Sequence, residues 1–471
     1  MAMTSAARKI PVAAPACSGC RERDETIAKL KEQLQAQGEC AGRNASNSSI
    51  PPSTNPPGAP KPTTKKATGR KPGGQPGHPP HTRQRLPRER VQHVLPFVPV
   101  TCERCQTALP EAPGPNDPEP TWHQYAELPR LAAVVTEYQG HARTCPCCRH
   151  VTRATIPDEL TRDIVGPRLA ASLSYFSGSP HVSKRGIEEI CETVFQVPIA
   201  LGTVANLEQE MSDALQPAHS QAQQVVQLAP IKNVDETGWK KAGKKRWLWA
   251  AATATAVCFV IHPSRGLPGL LSLLAAKLIG LFISDRWSVY LRLPVRRRQI
   301  CWSHLKRDFQ KLVDRGGPSE PIGRRCLKIV RQLFHEWHRF RDQEQNRRQL
   351  QRRLAPARLA LRRCLRRGTR CPESKTATFC QNLLDLEPAL WTFLHREGVD
   401  PTNNHAERLV RTAVLWRKMA FGCHSDAGCR FVERMLTVVG TLRLNKRPVL
   451  DFLEASLRAH RDGRKAPRLI R

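Results

Sequence analysis

The chain has 471 residues, 40% of them hydrophobic, with 75 Lys and Arg against 41 Asp and Glu for a formal net charge of +34. That length allows roughly three domains, and the apolar content excludes a wholly disordered chain. The charge exceeds what solubility needs and implies a polyanionic partner, most simply nucleic acid.

Seventeen cysteines, an odd number, occur in a chain whose first residues, MAMTSAARKIPVAAPAC, form no sustained apolar leader. This predicts a reducing cytoplasm, with thiols buried or bound to metal rather than paired in disulfides. Residues 17–40 space Ile27, Leu30 and Leu34 as a narrow apolar seam among charges. A short coiled-coil helix fits that seam, either as a dimer contact or as a weakly ordered arm. Cys17, Cys20 and Cys40 find no obvious fourth ligand. Residues 41–90 are rich in Pro, Ser, Gly and Asn and read as a disordered basic linker. From Lys61 to Arg90 it holds nine Lys or Arg and one Glu. Arg70 and Lys71 lie in a Pro/Gly context suited to touching DNA phosphates without reading sequence. A solvated spacer is the plainer alternative.

Residues 91–155 carry Cys102-x-x-Cys105 and Cys145-x-x-Cys148. Two such knuckles suit four thiolates around one Zn²⁺, although they stand about forty residues apart, wider than an ordinary ribbon. Cys147 is a substitute ligand, and His141 and His150 read as bystanders. The stretch from Tyr125 to Arg143 is expected to form strands that join the knuckles. Residues 156–225 read as three helices, Pro167–Phe176, Ser183–Phe195 and Ala200–Leu215. Their tight connections resemble a helix-turn-helix DNA reader. An ordinary bundle fits equally, and basic residues on the third helix are scarce.

The segment from Ile231 to Asp285 is the centre of the chain. Ile231–Val234 runs into Asp235 and Leu281–Ser284 runs into Asp285, with apolar runs Arg246–Ala252 and Ala256–His262 between them. The pattern is strand, hairpin, helix, strand. It sets two carboxylates at the ends of two strands that can be neighbours, a placement suited to Mg²⁺. An Asp after a strand is also an ordinary turn residue. Gly266–Ser284 approaches membrane-span length, but Pro268, Lys277 and Gly280 favour a helix followed by a buried strand.

Arg296–Leu305 reads as a further strand entering a helix, with Cys301 and His304 in a C-x-x-H. Residues 306–395 read as long helices, and 321–370 contain sixteen Lys or Arg against three acids. That excess suits a phosphate-tracking surface, or a solvated face. The stretch Asp400–Arg411 opens another helix. There Glu407 either closes a capping box with Asn404 or faces the strand carboxylates, with Arg408 and Arg411 towards phosphate. Phe431–Leu444 continues as an amphipathic helix, and 456–471 is a basic tail.

VDETGW, LFISD with Tyr290 beyond it, CWSHLKRDF, and NNHAERLVR followed by RKMAFGCHSDAG resemble the transposases of the insertion sequence 66 family. So do the heptad, GRKPGGQPGH and the four cysteines, in that order, over about residues 20–455. The run HSDAGCRFVERML departs from the usual pattern, which bears on sub-family. The resemblance implies an α/β, multidomain protein. Its RNase H-like catalytic domain, 226–455, would hold a mixed sheet with flanking helices, interrupted by a helical insertion at about 306–395. Before it would come the coiled-coil arm, the linker, the zinc-binding domain and the helical domain.

The resemblance also implies a DDE triad, which maps onto Asp235, Asp285 and Glu407, the last two 122 residues apart. Such a triad holds two Mg²⁺, or Mn²⁺, for cutting and joining phosphodiesters without a covalent protein intermediate. A C-x-x-H after the second Asp recurs in many such enzymes, which gives Cys301 and His304 an accessory role. The implied partners are element terminal repeats and target DNA, further copies of the chain assembled on two DNA ends, and accessory proteins, but no membrane. The implied setting is a bacterial cytoplasm, at the nucleoid. Two alternatives stand beside this: a non-catalytic DNA-binding protein derived from a transposase, and a metal nuclease that cuts without joining.

Overall fold

The computed structural model describes Thr26, residues 84–115 and residues 117–470. The expected coiled-coil helix, most of the linker, and Arg70 and Lys71 lie outside the described residues. The chain forms two compact units. Of the described residues, one comprises those from 84 to 136 and Ile190–Pro198, and the other Glu137–Glu189 and those from 199 to 470.

Within the smaller unit, the first cysteine knuckle is closed by a bridge between Thr101 and Ala108. No strand forms over 125–141, contrary to expectation. The valines and leucines of that stretch remain exposed, Val134 at 96% and Leu128 at 75%. An apolar run becomes a strand only where a neighbouring edge pairs with it, and none does here.

The larger unit begins with a hairpin of β1 (Ala142–Thr144) and β2 (Val151–Arg153), which carries the second knuckle. Three helices follow in the chain: α1 (Pro167–Gly178), α2 (Lys184–Thr193), whose residues from Ile190 on belong to the smaller unit, and α3 (Leu201–Leu228). The third is far longer than its pattern suggested. It runs through Pro217 and buries Val204, Leu207, Met211, Leu215, Ala218, Ala222 and Val226. Its last turns pack on the central sheet, with Val226 in one apolar cluster with Val234 and Phe282. A stripe spaced at three and four residues over about six turns belongs to a core helix.

The central sheet has five strands: β3 (Ile231–Lys241), β4 (Lys244–Ala252), β5 (Val257–His262), β6 (Leu281–Ser284) and β7 (Arg298–Ile300). Their spatial order is β5-β4-β3-β6-β7, the first three antiparallel and the last two parallel to β3. α4 (Leu267–Leu274) crosses from β5 to β6, as the interrupted apolar run predicted. Alternation then divides the core. Leu281 and Ile283 of β6 join one apolar cluster with Ile300, Trp302 and Phe309, whereas Phe282 joins another with Val234, Trp249 and Leu270.

Edge strand β5 would present free amides to solvent, but a helix covers it. Thr441, Thr437 and Glu433 of α10 (Asp426–Leu444, numbered below) accept from the amides of Val257, Phe259 and Ile261. The match is metric. Four helical residues advance about 6 Å and two strand residues about 6.6 Å, so i, i+4, i+8 on the helix meets alternate amides on the strand. An unpaired edge is thereby removed.

After β7 come α5 (Trp302–Arg315) and the helical insertion, α6 (Glu320–Arg341), α7 (Arg347–Gly368) and α8 (Ser374–Asp385). The chain then returns to the sheet with α9 (Asn404–Ala420), α10 and α11 (Val449–Arg461). Insertion and sheet share one apolar cluster, from Leu281 and Ile300 to Leu354, Leu383 and Trp391. The insertion is therefore packed, not pendant. The expected basic tail is also folded: α11 occupies its start, and Leu469 is fully buried, with its amide donating to Gln221 at 2.8 Å. No helix among the described residues is long and apolar enough to cross a membrane.

Replacing Thr437 by valine keeps its shape but leaves the Phe259 amide without an acceptor. Thr437→Val is expected to cost about 1–3 kcal/mol, measured by urea unfolding, with Thr437→Ser largely retaining stability.

Candidate active site

Asp235 lies inside β3, opposite Ala250 of β4. The strand is longer than its apolar run indicated and continues to Lys241, so Asp235 is held on both sides by ladder bonds instead of ending a strand. β3 pairs in parallel with β6 through Asn233 and Ile283. Two residues further along the same register are Asp235 and Asp285. The expectation that these strands are neighbours is met.

Glu407 arrives from α9. The N-cap of that helix is Asn403, not Asn404, and its side chain makes no cap bond. The capping-box alternative for Glu407 is thereby removed. Asn403 is instead fully buried and spans the site. Its amide nitrogen donates to the Val234 carbonyl at 2.9 Å, and its oxygen accepts from Asn233 at 3.0 Å. Its backbone amide donates to the Cys301 sulfur at 3.1 Å, and its carbonyl accepts from the Glu407 amide at 3.1 Å.

The freed Glu407 carboxylate meets Cys301 and His304. Cys301 Sγ donates to Glu407 Oε1 at 3.7 Å, and His304 Nδ1 lies 3.3 Å from the same oxygen. Among the described residues these three form a group whose ligand atoms lie within 4.8 Å of one another. Burial, and then the Glu407 charge, push the Cys301 thiol up to about 12. Burial, and then Arg307, hold His304 below its ordinary value. Both groups are therefore neutral near pH 7, and the thiol serves Glu407 as a hydrogen-bond donor.

The carboxylates repel one another. The Asp235 carboxyl is raised well above its ordinary range, first by burial and then by the charges of Glu236, Asp285 and Glu407. Glu236, whose side chain points to the opposite face, is raised to about 7 by burial and by Asp285. It accepts from Tyr290 at 2.6 Å and from Arg265 at 2.9 Å. Arg265 is itself stacked between Trp247 and Trp287. The Trp287 amide donates to the Asp285 carboxylate at 2.8 Å. Arg298 on β7 is fully buried, donates to the Asp285 carbonyl at 3.3 Å, and leaves two guanidinium nitrogens without a partner. The sequence reading passed over Glu236, Arg265, Arg298 and Asn403. A second acid beside Asp235 in DETGW, and the doubled Asn before His405, were the available signals.

Three carboxylates on separate elements, one of them strained towards its neutral form, fit a hard divalent cation that takes oxygen ligands. Asp235, Asp285 and Glu407 are the residues that would hold it. Arg408 and Arg411 are exposed on α9.

The cysteine knuckles share one geometry. Cys102 and Cys145 each donate their amide to the carbonyl five residues on and accept from the amide four residues on. Gln106 and Arg149 occupy matching left-handed positions, each with φ of 60°. Hydrogen bonds with Thr107 hold the Cys105 thiol below its usual range, and backbone amides at Cys148 and Cys147 do the same for Cys145. Cys102 and Cys105 belong to the smaller unit, Cys145 and Cys148 to the larger.

The raised Glu236 has a pH consequence. Between its ordinary value of 4.5 and its folded value of about 7, the native state binds more protons than the unfolded chain. Stability therefore falls as pH rises through that window. In EDTA, thermal melts of the wild type should lose ground to Glu236→Gln between pH 4.5 and 7. Adding Mg²⁺ at pH 7.5 should raise the wild-type Tm and leave that of Asp285→Ala in place.

A family model described as Transposase IS66 family matches residues 162–430. No curated protein matches the chain. The matched span holds the whole sheet, Asp235, Asp285 and Glu407, and exceeds half of the chain, which therefore belongs to the IS66 family of transposases.

Proposed function

We propose that this protein is an active DNA transposase that cleaves and joins element ends by metal-dependent phosphoryl transfer, with Asp235, Asp285 and Glu407 as its DDE triad. The observation that carries the reading is that Asp235 on β3 feels the charges of both Asp285, just past β6, and Glu407 on α9, with Asn403 tying the start of α9 to β3. The sheet order, three antiparallel strands followed by two parallel ones, supports an RNase H-like core.

A bound pair of Mg²⁺, or Mn²⁺, would supply an activated oxygen nucleophile and stabilise the leaving oxygen. The protein's own residues do the rest. Asn403 and the β3–β6 ladder fix the carboxylate spacing. Cys301 orients Glu407 by hydrogen bonding while remaining neutral, and His304 Nδ1 lies beside the same carboxylate oxygen. Arg408 and Arg411, on the exposed face of the Glu407 helix, meet backbone phosphates. Helix α7 adds nine arginines and no acid over 22 residues, which suits the flanking duplex. On this reading the protein works in a bacterial cytoplasm on nucleoid DNA, as several copies on paired element ends, with accessory proteins as further partners.

The test is cleavage of labelled DNA carrying the element's own ends, with Mg²⁺ and with EDTA. Asp235→Ala, Asp285→Ala and Glu407→Ala should each lower cutting by on the order of 10²–10³-fold or more while duplex binding persists. Normal cutting by any of the three removes that residue from the triad. Binding without cutting by the wild type, even with the element's accessory proteins added, favours a non-catalytic derivative.

Zinc is assigned to Cys102, Cys105, Cys145 and Cys148. Paired knuckles of the same turn, each with one thiol biased towards thiolate, suit a Cys₄ site. Purified protein should contain one zinc per chain, and Cys105→Ser with Cys148→Ser should lose it. A metal-free wild type retires the assignment.

A further inference from the structure

Helix α9 ends in an unusual way. Its C-cap residue is Phe421, held at φ of 57°, a left-handed conformation normally taken by glycine. A bulky side chain is a true outlier there. Gly422 follows directly, and the chain has not used it for that position. The Phe421 ring is 78% exposed, and Met419 and Leu415 on the preceding turns are exposed as well. Helix ends that expose an aromatic at a strained position persist only where surrounding contacts fix them.

Those contacts are present. The Cys423 amide donates to the Lys240 carbonyl at 2.9 Å, and the Ala242 amide donates to the Cys423 carbonyl at 2.8 Å. Lys241 and Cys423 form a parallel bridge. A side chain at Gly422 would collide with the Lys240 carbonyl. Arg417, whose carbonyl accepts from the Phe421 amide, reaches back to Thr237 at 3.2 Å. The backbone that carries the ring is thus held beside the β3–β4 hairpin tip, and that tip is cationic. Lys240, Lys244 and Lys245 are exposed, as is Lys418 on α9, while Lys241 is paired with Asp426 at 2.7 Å.

We propose that Phe421 is a stacking platform for an unpaired DNA base, with Lys240, Lys244, Lys245 and Lys418 on the phosphates beside it. The inference rests on DNA being the substrate. An aromatic face among lysines matches single-stranded nucleic acid, which offers a π-face and a phosphate at every step. It does not match an acidic protein surface, which lacks the first, or a second copy of this cationic chain, which lacks the second. Residues 407 and 421 are fourteen apart on one helix, about 21 Å. The stacked base therefore lies within roughly six nucleotides of the proposed cleavage site.

The test uses the full chain and two fluorescent probes of mixed sequence, a single-stranded 20-mer and its duplex. Phe421→Ala should weaken single-strand binding by about tenfold or more, leave duplex binding within about twofold, and be rescued by Phe421→Trp. Phe421→Gly separates folding from binding. It relieves the left-handed strain, so its Tm should rise while single-strand affinity falls. Equal single-strand affinity for wild type and Phe421→Ala, with duplex binding intact, overturns the inference. So does a change of oligomeric state in Phe421→Ala by sedimentation, which assigns the ring to a protein interface. A wild type that binds neither probe overturns the DNA reading itself.

Discussion

The site depends on one buried side chain, that of Asn403. β3 is fixed by the sheet and α9 is a separate element that returns after the insertion. Nothing in strand pairing alone brings the second to the first. Asn403 does so with both ends of its amide, on Asn233 and Val234, while its backbone engages Cys301 and Glu407. Each of its polar groups is satisfied inside the protein, which is what makes a fully buried amide tolerable. Loss of any partner would leave a desolvated donor or acceptor, so the arrangement is rigid by construction. The three acids inherit that rigidity.

The same rigidity stores repulsion. Asp235 and Glu236 occupy successive positions on one strand and so face opposite sides of it, yet both feel Asp285. The protein offsets the outer acid with Arg265 and Tyr290. It gives the inner cluster only the buried Arg298, one strand away. Burial and mutual repulsion outweigh these partners at both Glu236 and Asp235, so an added cation would stabilise the fold. Such preorganised charge is costly to the empty fold and useful for phosphoryl transfer, where the developing charge lies on oxygens between metal and protein. Cys301 and His304 complete the setting by remaining neutral beside the Glu407 carboxylate.

Much of this was legible in the sequence because its signals were periodic. The strands at Ile231, Arg246, Ala256 and Leu281 follow from β-branched and apolar runs, and the helix before β6 from Pro268 and Gly280. The three acids needed the resemblance of DETGW, LFISD and NNHAERLVR, since each alone is an ordinary turn or cap residue. What stayed hidden was tertiary. Asn403 was overshadowed by Asn404, because local spacing favours the residue three before Glu407, whereas the actual helix start is set by contacts with β3. The length of α3 was missed because Pro217 and a polar stretch interrupt its pattern, and the sheet beneath it supplies the continuity. The stretch 125–141 was read as strands from apolar alternation, which says nothing about whether a partner edge exists.

The central claim is that Asp235, Asp285 and Glu407 form one divalent-cation site. Crystals of the wild-type protein soaked in Mn²⁺ test it directly through anomalous diffraction. Mn²⁺ is expected on carboxylate oxygens of Asp235 and Asp285, with Glu407 as the third protein ligand. No anomalous peak at these carboxylates, or Mn²⁺ held by His304 and Glu407 away from Asp235 and Asp285, would contradict it.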